Sequence, residues 1–280
     1  FELRLLLARD SDALTAAGRI FAEEILRLHV RRARQRGHQR ARAGAITFPQ
    51  RFGGALNLNV HYHLAVPDGV FSLAKGVTRA TFRPLPRPTP DQLQEVTERT
   101  AQRVLAWLRR RRLIADDPEE LSRSPEPGAL DEFLATALGM GQLVSLPTMG
   151  EAEAATDLAS PPESRSARRG GAAEGFNVHA AVLVPASDRE GRERLLRYCA
   201  RAPVSLERLT LLPDGRVAYA LRHTWRPDQS HRIMQPLEFL ARLAALIPPP
   251  RHPLIRFHGV FAPNCRWRAA VVPEVTEPTA

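Results

Sequence analysis

Strict alternation of apolar and polar positions predicts a β-strand over residues 56–66, which read LNLNVHYHLAV. Its apolar face comprises Leu56, Leu58, Val60, Tyr62, Leu64 and Val66. Its opposite face comprises Asn57, Asn59, His61 and His63. A strand that packs one face on a core does not need imidazoles on the other. The polar face is therefore the first candidate for a functional surface.

Apolar positions three and four residues apart predict helices elsewhere in the chain. The predicted helices span residues 11–36, 91–112, 188–201 and 236–247, with a further one near 129–140. Further strands are predicted over residues 45–53, 78–85, 175–185 and 231–235, and a hairpin over 208–222 that turns at Pro213-Asp214-Gly215. A capping-box pattern, Ser187 with Glu190 three residues later, predicts the start of the helix at 188.

Strands separated by helices and hairpins predict an α+β fold, in which helices lie on a mainly antiparallel sheet. Residues 1–83 form the first part of the predicted folded domain, and a helical insert follows over 84–146. Residues 147–174 are rich in Ala, Gly, Ser, Pro and Glu and show no periodicity, so we expect a disordered linker there. Residues 175–280 complete the domain.

Charge and composition indicate the kind of binding partner and the cellular location that we expect for this protein. The net charge of +10 favours a polyanionic partner such as nucleic acid, although Lys75 is the only lysine and an arginine bias is also typical of G+C-rich genomes. Two cysteines are too few for a disulfide framework, and no stretch approaches the about 20 apolar residues of a membrane span. We therefore expect a cytoplasmic protein.

Because the chain starts at Phe1 inside an apolar pattern, we also expect that an N-terminal part is missing.

Two segments concentrate positive charge. The run RRARQRGHQRARAG, residues 31–44, is either a solvated helix end and loop or a patch that contacts phosphates. Near the C-terminal end, cations alternate with aromatic residues, which suits bases stacked along single-stranded DNA, unless Phe257 and Trp267 are core residues. The candidate DNA-binding residues of that segment are Arg256, Arg266 and Arg268.

His61 and His63 suit a metal site, because side chains two residues apart on a strand project to the same side, about 6 to 7 Å apart at the backbone. The simpler alternative is a pair of surface histidines that binds nothing. His179 could add a third imidazole, since the tripeptide Asn-Val-His occurs at residues 59–61 and again at 177–179, although that repeat could be chance.

Oxygen ligands for the same cation are also available nearby. Gln50 precedes the histidine pair and Asp68 follows it. The amides of Asn57 and Asn59 could hold the ligands in place through hydrogen bonds.

Tyr198 differs from the other two tyrosines in its neighbours. On the predicted helix, Arg194 lies one turn before it and Arg201 almost one turn after it. Guanidinium groups favour a phenolate and also hold phosphate, whereas the alternative is an amphipathic helix in which Tyr198 merely packs. With the histidine pair, this tyrosine suggests attack of a phenol on a phosphate that a divalent metal polarises, giving a 5′-phosphotyrosyl DNA and a free 3′-hydroxyl.

Four blocks of the sequence together resemble the transposases of bacterial rolling-circle insertion sequences, which belong to the HUH endonuclease superfamily. The blocks are TFPQRFGGALNLNVHYHLAVPDGVF, GFNVHA, LLRYCARAPVSLERLTLLPDGRVAY and RFHGVFAPNCRWRAAVVP. This resemblance implies a ferredoxin-like catalytic sheet and Mg²⁺ or Mn²⁺ as the divalent metal. It also implies cleavage and strand transfer of single-stranded DNA at the ends of a mobile element and at its target.

The resemblance also implies residue roles. His61 and His63 match the metal-binding histidines and Tyr198 matches the catalytic tyrosine, while Arg194 stands where related members often carry a second tyrosine. The chain thus resembles a single-tyrosine version of the family without the usual upstream zinc-binding module. With one catalytic tyrosine per chain, a homodimer would supply two tyrosines during transposition. The candidate DNA contacts around this site are Arg194, Arg197, Arg201, Gln50 and Asn59.

Two other interpretations stay open. A plasmid replication initiator or relaxase would carry the same site. A non-catalytic single-stranded DNA-binding remnant would keep the fold without the chemistry.

Overall fold

A computed structural model describes residues 2–114, 142–144, 170–173, 175–221, 230–247 and 252–273. The helix predicted near 129–140 and most of the predicted linker lie outside these residues. The helices are α1 (Glu2–Arg9), α2 (Ser11–Gln35), α3 (Pro90–Arg110), α4 (Arg189–Cys199), α5 (Pro236–Leu246) and α6 (Arg268–Val271). The helices predicted from periodicity at 11–36, 91–112, 188–201 and 236–247 are confirmed to within two residues at each end.

The strands all pair antiparallel in the part of the chain that the structure describes. They are β1 (Gly44–Phe52), β2 (Leu58–Ala65), β3 (Gly69–Ser72), β4 (Thr81–Pro84), β5 (Gln142–Val144), β6 (Gly170–Ala173), β7 (Phe176–His179), β8 (Leu209–Leu211), β9 (Val217–Ala220), β10 (His231–Met234) and β11 (Arg256–Gly259). The predicted hairpin is confirmed, because β8 and β9 pair across a turn in which Gly215 has φ +81°. The mixture of helices with antiparallel sheets confirms the α+β class.

The strands form several sheets rather than one. A three-stranded sheet has the order β11-β1-β2, a four-stranded sheet has the order β5-β10-β9-β8, and β3-β4 and β6-β7 are separate ribbons. The register of β1 against β2 shifts between Gln50 and Phe52, which bends the end of β1. One buried apolar cluster joins the two larger sheets and includes Phe52, Leu58, Val217, Tyr219 and Met234.

Helix α2 packs on one side of the three-stranded sheet and α3 packs on α2. The apolar side of α2 is buried, and its N-terminus is capped by Asp10, which accepts a hydrogen bond from the backbone N–H of Ala13. Glu24 is only 2% exposed and forms ion pairs with Arg27, Arg99 and Arg103. A buried carboxylate needs such partners, so this cluster fixes α3 against α2.

The predicted linker is wrong at its C-terminal end, because residues 170–173 form β6 and pair with β7. The side-chain amide of Gln94 on α3 both donates to the carbonyl of Ala172 and accepts from its N–H, each at 2.9 Å. A Cβ at Gly171 would lie 2.7 Å from the Cα of Gln94, so only glycine lets the strand approach this closely. Gly171, part of the composition that predicts disorder, thus allows the ribbon to dock on the helix.

Strand β7 is shorter than the predicted strand over 175–185, because its partner β6 has four residues. No helix among the described residues is long and apolar enough to cross a membrane.

Candidate active site

The two histidines of β2 share one face of the three-stranded sheet with a residue of β1. Gln50 lies directly opposite His61, and Phe48 lies opposite His63. Directly paired residues of antiparallel strands project to the same face. The two imidazole rings have centroids 4.9 Å apart and are nearly perpendicular, at 84°. The structure therefore places Gln50, His61 and His63 together.

Both imidazoles are held in the neutral form. Nδ1 of His61 lies 2.8 Å from the backbone carbonyl of Asn59, and a carbonyl can only accept, so Nδ1 carries the proton and Nε2 keeps its lone pair. Burial lowers the pKa of His61, and burial with the nearby His61 and Arg201 lowers the pKa of His63 to about 4. Neutral imidazole is the form that binds a metal.

Asn59 contributes its backbone carbonyl to this arrangement.

Tyr198 approaches the histidine pair from the C-terminal end of α4. Its ring centroid lies 5.3 Å from that of His63, with the rings at 69°. The carbonyl of Cys199, the last residue of α4, accepts a hydrogen bond of 2.7 Å from Nε2 of Gln50. The last carbonyls of a helix lack partners within it, so this bond both satisfies the helix end and attaches it to β1.

The N-terminus of α4 differs from the prediction. Asp188, not Ser187, is the capping residue, and its carboxylate accepts a hydrogen bond of 2.7 Å from the N–H of Gly191. A carboxylate at this position also interacts favourably with the positive end of the helix dipole.

The three arginines around Tyr198 lie in different environments. The guanidinium of Arg201 stacks on the Tyr198 ring at 4.4 Å and lies 5.7 Å from the Phe52 ring. The side chain of Arg194 is 61% exposed and pairs with Glu190, and that of Arg197 is 79% exposed and pairs with Glu193. Of these three, only Arg201 is in contact with the tyrosine ring.

Tyr62, between the two histidines, lies on the opposite face of the sheet. Its hydroxyl donates to the carbonyl of Leu14 at 2.7 Å, and a Cβ at Gly18 would lie 2.7 Å from its Cε1, so α2 and the ring are in close contact. Burial raises the pKa of this phenol. The tyrosine therefore anchors the strand to α2 and is turned away from the histidines.

We expect Tyr62→Phe to lower the free energy of unfolding by about 0.5–1.5 kcal/mol, because it removes one hydrogen bond and keeps the ring. Urea unfolding followed by circular dichroism measures this change. Any activity that depends on the opposite face should remain as in the wild type. Loss of that activity at nearly unchanged stability would show that the Tyr62 hydroxyl takes part in it.

His179 does not join the histidine pair. It lies on β7, which pairs with β6 and packs on α3, not in the sheet that carries His61 and His63. Within the described ranges, no three His, Cys, Asp or Glu side chains converge as a metal site. Asp68 lies beyond the end of β2 and interacts electrostatically with Arg32 and His29 instead.

The C-terminal candidates also lie away from the pair. Arg256 is opposite Thr47, on the α2 side of the sheet, and donates to Oγ1 of Thr15 at 2.9 Å. Arg268 donates to the carbonyl of Phe261 and stacks on the Phe257 ring, while Arg266 is exposed. The adjacent Trp267 stacks with Arg42, which belongs to the predicted basic run, at 4.8 Å. Whether these arginines contact DNA stays a prediction.

The hydrogen bond from the Gln50 amide to α4 and the stacking of Arg201 on the Tyr198 ring were not predicted from the sequence. Both contacts depend on where α4 packs on the sheet, and the local sequence pattern of a helix does not predict its packing partner. The sequence suggested Gln50 only as an oxygen ligand or a DNA contact near the histidine pair.

The α+β fold thus brings two buried imidazoles on one sheet face together with an arginine-stacked tyrosine from a helix. A family model described as "Putative transposase" matches residues 44–268, about four fifths of the chain, including all of β1, β2 and α4. The chain therefore belongs to this transposase family, a class of DNA-processing enzymes. No curated protein and no solved structure matches it.

Proposed function

We propose that the protein is a metal-dependent endonuclease and strand transferase for single-stranded DNA that acts in rolling-circle transposition through a 5′-phosphotyrosyl intermediate. The observation that supports this proposal most directly is the contact between Tyr198 and His63, with His61 beside them. Family membership favours a transposase over a replication initiator or relaxase.

The residues on this face fit a divalent cation. Nε2 of His63 and Oε1 of Gln50 are both buried and have no hydrogen-bond partner among the residues that the structure describes. Together with Nε2 of His61, which the Nδ1 hydrogen bond leaves free of a proton, these atoms could bind a cation such as Mn²⁺ or Mg²⁺, whose other ligands would be water and phosphate oxygens. When bound, this ion would polarise the scissile phosphate and stabilise negative charge on its oxygens.

In the proposed reaction, the Tyr198 hydroxyl loses its proton to solvent and its oxygen attacks phosphorus in line. The new Oη–P bond forms as the P–O3′ bond breaks, and the leaving 3′-oxygen takes up a proton. Because the phosphotyrosyl ester retains the energy of the phosphodiester, attack by another 3′-hydroxyl rejoins DNA and releases the tyrosine without ATP.

Arg201 is suited to hold the phosphate and the tyrosine at the same time. Its guanidinium lies over the Tyr198 ring, so it packs against the ring and brings positive charge close to the tyrosine. A planar guanidinium can stack on the ring and still donate to phosphate oxygens.

We expect Arg201→Ala to slow formation of the covalent adduct about 10²- to 10³-fold, the range seen when one charge-stabilising group is removed. Arg194→Ala and Arg197→Ala are matched controls on the same helix and should change the rate less than about 3-fold, because exposed ion pairs contribute little. Single-turnover kinetics of adduct formation measure these rates. Equal losses in all three variants would argue against a special role for Arg201.

The proposal is tested by locating the covalent bond. The protein is mixed with Mn²⁺ and a random-sequence pool of single-stranded DNA, labelled at either the 3′ or the 5′ end, and separated on a denaturing gel. We expect the protein to retain only the 3′ label, and the nucleotide to map by mass spectrometry to the tryptic peptide of residues 198–201. Attachment elsewhere would overturn the choice of nucleophile. DNA binding without any adduct would support the non-catalytic alternative.

A further inference from the structure

Gln50 is the residue that joins the histidine pair to the tyrosine helix. It is only 4% exposed and lies in β1 opposite His61, so its side chain is enclosed between the sheet and the end of α4. The bond from Nε2 to the Cys199 carbonyl determines the orientation of the amide, because only the NH₂ group can donate to a carbonyl. The oxygen of the same amide, Oε1, therefore takes no part in the bond to α4.

The Oε1 atom of Gln50 is buried, and no described residue donates a hydrogen bond to it. Leaving a buried acceptor unpaired is unfavourable, so such an atom is expected to have a role. Gln50 lies on the sheet face that carries His61 and His63, where a cation bound by the imidazoles would be a suitable partner for this oxygen.

We propose that Gln50 couples metal binding to the position of the nucleophile, with its oxygen as the third protein ligand and its NH₂ group as the clamp on α4. This inference rests on the proposed metal site at His61 and His63. Because one rigid amide makes both interactions, a cation that fixes the oxygen also fixes the nitrogen against the Cys199 carbonyl. Coupling of this kind is reciprocal, so docking of α4 should in turn strengthen metal binding.

The chemistry of the amide explains why glutamine stands here. A glutamate would be the stronger ligand, but its carboxylate cannot donate to the Cys199 carbonyl and would repel it. A methionine of similar length could neither offer an oxygen to the cation nor donate a hydrogen bond to the Cys199 carbonyl. Substitutions at this one position can therefore separate the two functions.

Two variants and one control test the coupling without DNA or turnover. Gln50→Glu keeps an oxygen ligand and removes the clamp, whereas Gln50→Met removes both. Gln94→Met is the matched control, because Gln94 also bonds a distant backbone group, that of Ala172, but lies on α3. Mn²⁺ affinity is measured from the electron paramagnetic resonance signal of the free ion, and docking of α4 from hydrogen exchange of the amides of residues 195–201 with and without Mn²⁺.

We expect Mn²⁺ to slow exchange of this segment in the wild type and in Gln94→Met. In Gln50→Met, Mn²⁺ affinity should fall about 10- to 100-fold and the segment should exchange faster even without metal. Gln50→Glu should bind Mn²⁺ at least as tightly as the wild type, but Mn²⁺ should no longer slow exchange of the segment.

Wild-type affinity in Gln50→Met, or full Mn²⁺-dependent protection in Gln50→Glu, would overturn the coupling while leaving the metal site intact. Failure of the wild type itself to bind Mn²⁺ would instead overturn the metal site and, with it, the proposed function. Circular dichroism of each variant confirms that it is folded before these measurements.

Discussion

Tyr198→Phe is expected to abolish covalent attachment to DNA, with adduct formation reduced at least about 10³-fold, because the phenol oxygen is the only atom removed and it is the proposed nucleophile. The ring contacts with His63 and Arg201 do not involve that oxygen, so the fold and DNA binding should be preserved. Denaturing gels report the adduct, and fluorescence anisotropy with labelled single-stranded DNA reports binding.

The other two tyrosines supply matched controls. Tyr62→Phe removes a hydroxyl on the far face of the same sheet, and Tyr219→Phe removes one from the core, where Tyr219 is 1% exposed. Both should form adduct at a rate close to that of the wild type. An adduct that persists in Tyr198→Phe, and disappears in one of the controls, would assign the chemistry to a different residue.

Replacing the histidine pair has the second large expected effect. In the double variant His61→Ala, His63→Ala, two of the three proposed protein ligands are lost, so Mn²⁺ binding should fall below detection and adduct formation should decrease by about 10³-fold or more. Titration of the protein with Mn²⁺, followed by electron paramagnetic resonance, measures the first effect, and single-turnover kinetics measure the second.

His258→Ala is the control for loss of a histidine from this sheet. His258 lies on β11, and its Nε2 is hydrogen-bonded to Oγ1 of Thr47 at 2.9 Å on the opposite face. This variant should bind Mn²⁺ like the wild type, although it loses that hydrogen bond. If the double variant retained both Mn²⁺ binding and activity, the ion would have to bind elsewhere.

The sequence predicts which residues share each face of β2, but it does not predict where α4 packs. A period of two residues in β2 puts His61 and His63 on one face wherever the strand lies, and the same rule turns Tyr62 to the other face. The contact between His63 and Tyr198 follows from no local pattern, because about 135 residues separate them and packing alone brings them together. The chemistry of the two residue types and the family resemblance suggested that they act together, but neither gives the geometry of their contact.

The predictions that failed share a physical cause. Residues 170–173 were assigned to a linker because Gly and Ala carry no periodic signal, yet the strand depends on the amide of Gln94, nearly 80 positions earlier in the chain. His179 was placed near the metal because of a repeated tripeptide, but strand pairing assigned it to a different ribbon. Composition and repeats are properties of single segments of the chain. The strand at residues 170–173 and the position of His179 depend instead on which segments pack or pair with each other.

The order of the site's parts along the chain determines when it can exist during synthesis. The histidine strand leaves the ribosome long before α4, and the segment from Arg189 to Arg201 must follow and dock before Tyr198 reaches His63. Closing so long a loop costs entropy, although each doubling of loop length adds only about 0.6 kcal/mol. A nascent or prematurely terminated chain therefore lacks the contact between Tyr198 and His63 until translation has passed residue 201.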